Sequence, residues 1–200
     1  TQASNVSFII CTAPLLTTIL SLLFYKSEKA SKGLIYGSLL ALMGVGLIVF
    51  NGSFVLKISP IGDLLTLLAA LSWAFYSLII KKMAGRYPTI FITRKIFFYG
   101  VLTILPAFLL HPLQPDTAVL LQPAVLFNLL FLAVLASLIC YVLWNLVLKQ
   151  LGTVRASNYI YLNPLVTMIA SFLILDEKIT LVALGGAACI VCGVYWAEKK

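Results

Sequence analysis

Charge is what this chain has least of. Only 10% of its 200 residues are charged, six of them acidic, and there is one histidine, His111. The sequence offers no nucleophile beside a base, no metal-ligand set and no glycine loop of the kind that cradles phosphate, so an enzyme is not expected and neither is a cofactor. The four cysteines, Cys11, Cys140, Cys189 and Cys192, all fall inside apolar runs. Cys189 and Cys192 have Cys-x-x-Cys spacing, but no second pair and no nearby histidine completes a metal or redox site, and small-residue packing is the plainer reading. The last apolar run, from Leu181 to Ala197, has no central lysine, which excludes a retinal Schiff base.

Apolar residues are there in excess. At 62% hydrophobic and a mean hydropathy of +1.09, the chain has more apolar surface than a soluble core of its size could hide. Seven runs of roughly 17 to 25 residues, the length that spans a bilayer core as a helix, are Val6 to Tyr25, Gly33 to Phe50, Asp63 to Ile80, Phe91 to Leu110, Ala124 to Leu148, Asn158 to Leu175 and Leu181 to Ala197. The fourth carries Arg94 and Lys95, which must snorkel to a headgroup region. The expected fold is all-α, a polytopic membrane helical bundle, because only helices satisfy their backbone within one segment in lipid. The net charge of +8 is a matter of topology rather than nucleic-acid binding. Numbering the gaps alternately puts twelve Lys and Arg residues on one side and only Lys57 and Lys178 on the other, so the basic side and the C-terminus should be cytoplasmic. The setting is the inner or plasma membrane, with the lipid bilayer as a partner.

The chain also repeats itself. Pro164-Leu165, Thr167, Glu177-Lys178, Gly186 and Gly193-Val194 answer to Pro14-Leu15, Thr17, Glu28-Lys29, Gly37 and Gly44-Val45, at an offset of 150 and then 149 residues. The partner of Asp63, where the second unit begins, would lie about 86 residues before Thr1, room for three more spans. The expectation is an intact protein of ten helices, five plus five, N-terminally truncated here: residues 1–50 hold the last two helices of the first unit, 51–62 an external linker and 63–200 the whole second unit. Units with an odd number of spans cross in opposite directions, which makes an inverted repeat of the kind found in secondary transporters. Gly33, Gly37, Ala41 and Gly44 in the second run, and Gly185, Cys189 and Gly193 in the seventh with Gly186 beside them, form small-residue faces. They suit a scaffold contact or a homodimer.

A solute needs polar groups near the bilayer midplane. The fifth run places Ser137, Cys140, Tyr141, Trp144 and Asn145 on one helical face, either a cavity wall or interhelical hydrogen bonding with an aromatic belt. The sixth shows Tyr159, Asn163, Thr167 and Ser171 at i+4 steps around Pro164, which should leave a carbonyl near Ile160 unused. Pro14, flanked by Thr12 and Thr17, implies a paired kink, shaping a transport site or packing alone. The third run adds Thr66, Ser72, Trp73, Tyr76 and Ser77, with Asp63 at its start as a helix cap or, less simply, a proton-coupling group. Glu28 and Glu177 close the first and sixth runs as anchors or gates, and His111 is an interfacial residue or a proton relay.

These motifs carry a resemblance. An Ala-Ser-Asn entry with a central proline, an acidic exit in Ser27-Glu28-Lys29 and Asp176-Glu177-Lys178, and a following helix with Gly-x6-Gly-Val are similar to the close of the EamA-type repeat in the drug/metabolite transporter superfamily. Asp63-Leu-Leu through Ser72-Trp73-Ala74, then a basic turn and Arg94, resembles its opening. The resemblance covers nearly the whole chain and implies ten helices with both termini cytoplasmic, exporting or exchanging small metabolites or drugs. The expected function is therefore a secondary transporter, an exporter or exchanger of small organic solutes by alternating access, with protons first among coupling ions. The alternative is a non-transporting scaffold or assembly subunit. The expected cavity residues are Trp73, Tyr76, Ser137, Tyr141, Trp144, Asn145, Tyr159, Asn163 and Thr167.

Overall fold

The computed structural model of the chain describes residues 3–24, 31–50, 59–110, 117–176 and 179–199. Seven helical stretches in it are long and apolar enough to cross a bilayer: Asn5–Phe24, Lys32–Phe50, Pro60–Ala84, Thr89–Leu110, Pro123–Leu151, Thr153–Ile174 and Leu181–Glu198. No strand occurs among the described residues. The protein is an integral membrane protein, a polytopic helical bundle with the expected number of spans. The third run begins earlier than its apolar stretch, at Pro60, so the last residues of the expected linker are already helical. Ser59 donates its backbone N–H to the Asp63 carboxylate at 3.0 Å, a local cap that accounts for an acidic residue at this helix start. Glu28, Glu177 and His111 lie outside the described residues.

Chain contacts divide the molecule into two compact units. The larger comprises residues 1–79 and 151–200 and contains α1 (Ala3–Ile10), α2 (Ala13–Phe24), α3 (Lys32–Phe50) and most of α4 (Pro60–Ala84). The smaller, residues 80–150, holds α5 (Thr89–Leu110), the short α6 (Thr117–Leu120), α7 (Pro123–Leu130), a π-helical stretch Phe131–Ile139 and α8 (Cys140–Leu151) up to Gln150. Back in the larger unit follow α9 (Thr153–Asn158), a 3₁₀ turn Tyr159–Leu162, α10 (Asn163–Leu175) and α11 (Leu181–Glu198).

The centre of the larger unit is the packing of α3 on α11. A Cβ placed on Gly44 would stand 2.5 Å from the Gly186 carbonyl oxygen, and one on Gly193 would stand 2.6 Å from that of Gly37. The two backbones touch, and in lipid such contact supplies the van der Waals attraction that holds helices together. Gly37 meets Gly193 near one end and Gly44 meets Gly186 near the other, so the helices run antiparallel. The packing face of α11 carries Gly186, Ile190, Gly193 and Ala197, whereas Gly185, expected on that face, has nothing within 4 Å. Gly37, Gly44, Gly186 and Gly193 are covered within one chain, the scaffold contact of the two readings given for these faces. Around this seam Cys11, Ala41, Val45, Tyr161, Ile190 and Val194 form a buried core.

The first and sixth spans are each interrupted next to a proline. In the first span Cys11 and Thr12 form a turn before α2, with Pro14 in its first turn. In the sixth, Pro164 opens α10 after the 3₁₀ turn. The carbonyl of Ile160 is not left unused as expected: the 3₁₀ turn lets the Asn163 N–H reach it in place of the N–H that proline lacks. In the smaller unit α5 accommodates its cations under aromatic cover, with Lys95 Nζ 5.8 Å from the ring centres of Phe98 and Tyr99 and Arg94 5.6 Å from that of Phe91.

Candidate functional site

In the larger unit the polar groups of the sixth span divide between two faces. Tyr159, Asn163 and Thr167, the face singled out from sequence, are exposed, and the Thr167 hydroxyl donates to the Asn163 carbonyl oxygen at 3.0 Å. Tyr159 lies beside Glu198 at the end of α11, with Arg155 nearby. The opposite face is fully buried. Asn158 and Tyr161 are 0% exposed, and the Ser38 hydroxyl of α3 donates to Asn158 Oδ1 at 3.3 Å. The Tyr161 hydroxyl lies beside Ser38 and Cys11. This ties α3 to the span that carries the Pro164 break, so the proline hinge is anchored on one side and open on the other.

The first span packs on the sixth through α2 and α9. Thr17 and Ser21 on α2, and Thr153 and Ser157 on α9, are all buried at i, i+4 spacing. Small hydroxyl-bearing residues let the two backbones approach, and Thr17 satisfies its hydroxyl on the Ala13 carbonyl oxygen at 2.8 Å. On α4, Trp73 and Tyr76 are half-buried with ring centres 5.3 Å apart. Ser77 is buried on the Trp73 carbonyl oxygen, while Ser72 faces outward and Thr66 is half-buried.

In the smaller unit α8 and the π-helix before it set the face expected of the fifth span. Ser137, Tyr141 and Trp144 are half-buried, and Cys140 is exposed. Tyr141 and Phe97 of α5 form a T-shaped pair with ring centres 5.4 Å apart. Asn145 is 1% exposed and donates from Nδ2 to Thr93 Oγ1 at 2.9 Å, the interhelical bond that the second reading of this face anticipates. Thr93 in turn donates to the Thr89 carbonyl oxygen at 3.0 Å, a relay that fixes the Asn145 amide.

Sequence reading passed over Ser38, Thr93 and Tyr161. Ser38 follows a packing glycine, and Tyr161 stands two residues from Asn163 on the other face, so the signal was helical phase: polar residues on both faces of the sixth span mean that one face is buried against protein. No group of His, Cys, Asp and Glu able to hold a metal ion occurs among the described residues. Cys189 packs its Cβ toward Gly44 and Cys192 faces outward, in keeping with a packing role for the former.

Comparison with known proteins supplies the family. A solved crystal structure, described only as that of a protein, superposes with a TM-score of 0.85 over 99% of this chain and 68% of its own at 17% identity, a likeness of fold. An uncharacterized transporter of Archaeoglobus fulgidus is 30% identical over the whole chain, which covers 68% of that protein. Proteins named probable amino-acid metabolite efflux pump are 29% identical in Salmonella typhimurium and 26% identical in Escherichia coli. The chain spans 60% and 62% of the lengths of these two. The sequence profile of the EamA-like transporter family matches residues 60–197, from the first turn of α4 to the last of α11. With that match over more than half of its residues, and with seven spans built around repeated proline breaks, the chain belongs to the EamA-like transporter family.

Proposed function

We propose that this chain is the greater part of a secondary transporter that moves a small organic solute by alternating access between two inverted five-helix repeats. In that reading residues 1–50 close the first repeat and residues 63–200 form the second. The observation that carries it is the pairing of Gly37 with Gly193 and of Gly44 with Gly186. The repeat offset of 149 turns Gly37 into Gly186 and Gly44 into Gly193, so it exchanges the two contacts with each other. A pair that maps onto itself under the repeat is what a two-fold axis in the membrane plane between α3 and α11 produces.

The solute contacts assigned in the larger unit are Trp73, Tyr76, Tyr159, Asn163 and Thr167, and in the smaller unit Ser137, Tyr141 and Trp144, with Asn145 positioning its helix. Pro14 and Pro164 set the breaks about which these faces reorient. The names of two relatives make an amino-acid metabolite the first substrate class to try, with export or exchange as the direction and protons as the coupling ion. The C-terminus is assigned to the cytoplasm by the distribution of Lys and Arg. A homodimer would have to use a surface other than the α3 and α11 glycines.

The test is flux in proteoliposomes containing the intact protein. Asn163→Leu and Tyr141→Ala should each cut transport of the accepted solute at least tenfold with normal insertion, and a protonophore should collapse accumulation. Unchanged flux in both variants would overturn the site, and absence of flux for any amino-acid metabolite would favour the scaffold reading.

A further inference from the structure

The outer side of the α3 and α11 pair carries a groove of about 1080 Å³. Its walls at one end are Lys32, Lys199, Tyr36 and Trp196, and at the other Leu39 and Met43. The start of α3 and the end of α11 adjoin closely enough that a Cβ on Gly33 would be 3.0 Å from the Trp196 carbonyl oxygen and 3.4 Å from that of Lys199. The two lysines therefore enter the groove from neighbouring points of the backbone. Glu198, the nearest carboxylate in the sequence, is not among the groove's lining residues and lies beside Tyr159. Among the described residues two ammonium groups and no carboxylate line the groove mouth, while the start of α3 and the end of α11 set opposite helix-dipole charges side by side that offset each other.

We propose that this groove binds an anionic glycerophospholipid, its headgroup phosphate between Lys32 and Lys199 and an acyl chain laid along α3 past Leu39 to Met43. The dimensions fit. From Lys32 to Met43 a helix rises roughly 16 Å, close to the depth of one leaflet in a hydrocarbon core about 30 Å thick. Tyr36 and Trp196 are exposed by 62% and 55% within one turn of the lysines, the level at which amphipathic rings sit at a membrane surface. Leu39 and Met43, 45% and 62% exposed, then give purely apolar walls. Lys199 also rests against the Tyr195 ring at 6.0 Å, outside the groove, and its ammonium has three donors to share. A second copy is a poorer occupant. Two copies related by an axis along the membrane normal would meet at equal depth and set four lysine ammonium groups against one another. The proposal does not depend on what the protein transports.

The experiment is thermal unfolding of the intact protein purified in detergent, with phosphatidylglycerol or phosphatidylcholine added to the micelles, alongside native mass spectrometry of retained lipid. Phosphatidylglycerol should raise the midpoint by about 5 °C more than phosphatidylcholine at saturating lipid. Lys32→Gln with Lys199→Gln should abolish that difference and the retained anionic lipid, while Lys32→Arg with Lys199→Arg should keep both. If the double glutamine variant does not fold, each single variant should show roughly half the loss of selective binding at unchanged phosphatidylcholine midpoint. Soluble glycerol phosphate should give no shift, since the acyl chain is part of the fit. Equal shifts from the two lipids, a phosphatidylglycerol shift that survives both glutamine substitutions, or cross-linking of Met43→Cys to a second copy or to another segment of the intact chain would each overturn the assignment.

Discussion

Asn145 and Thr93 show how one hydrogen bond can decide what a polar residue in a membrane helix is for. Both are buried within one unit, to 1% and 2% exposure, and they bond at 2.9 Å where neither water nor lipid offers a substitute. Bonds of this kind measured in membrane proteins contribute about 0.6 kcal/mol on average and up to about 1.7 kcal/mol. Asn145→Leu and Thr93→Val should each lower the unfolding free energy in detergent by about 1 to 2 kcal/mol, since each strands a buried partner. The double variant should cost less than the sum of the two, with a coupling of about 1 kcal/mol in a double-mutant cycle. Additive costs would mean that the pair is not coupled. Half of this was legible in the sequence: the Asn145 face stood out as polar among aliphatic residues, but Thr93 lies in a run whose charges drew attention instead.

Among elements, α3 and α11 carry the strongest sequence signal and the closest packing. Gly37 faces the backbone of Gly193 and Ala197 so tightly that even a methyl group cannot enter without the helices moving apart. Gly37→Ala and Gly193→Ala should each destabilise by about 1 to 3 kcal/mol, the cost of overpacking, read as a lower unfolding midpoint. Gly185→Ala, one residue from the seam with nothing within 4 Å, should be neutral or stabilising by up to about 1 kcal/mol, because alanine is the better helix former. Sequence placed glycines at packing intervals in both helices but could not fix which of Gly185 and Gly186 turns inward, since either continues an i+4 or i+7 row to Gly193. The π-helix Phe131–Ile139 had no signal at all. It lies in a run of aliphatic residues, where a change of turn moves one apolar side chain into the place of another. The proline breaks were legible because proline removes a backbone donor wherever it stands, yet the repair by a 3₁₀ turn depends on local backbone geometry that residue identity does not specify.

For the whole molecule, the legible part is the set of membrane spans. Apolar run length anticipated the seven spans found among the described residues, and the alternation of basic loops predicts a side for each end, whereas the packing within each compact unit depends on side-chain fit that composition does not encode. Direction is what the transport reading needs, because an inverted repeat exists only if equivalent segments face opposite ways. In the proposed repeat the start of α3 and the start of α11 are such segments, each opening the helix that carries the Gly-x6-Gly pair. Their antiparallel contact requires Lys32 and Lys199 to share one side and Thr180 to lie on the other. In a variant whose four native cysteines are replaced by serine or alanine, Lys32→Cys and Thr180→Cys should be labelled by a membrane-impermeant maleimide from opposite faces. Right-side-out vesicles should label only the Thr180 position if the basic side is cytoplasmic, and inverted vesicles only the Lys32 position. The reverse result would turn the protein over while leaving the repeat inverted. Labelling of both from one face would remove the two-fold axis, and the alternating-access mechanism would then lose the symmetry on which it rests.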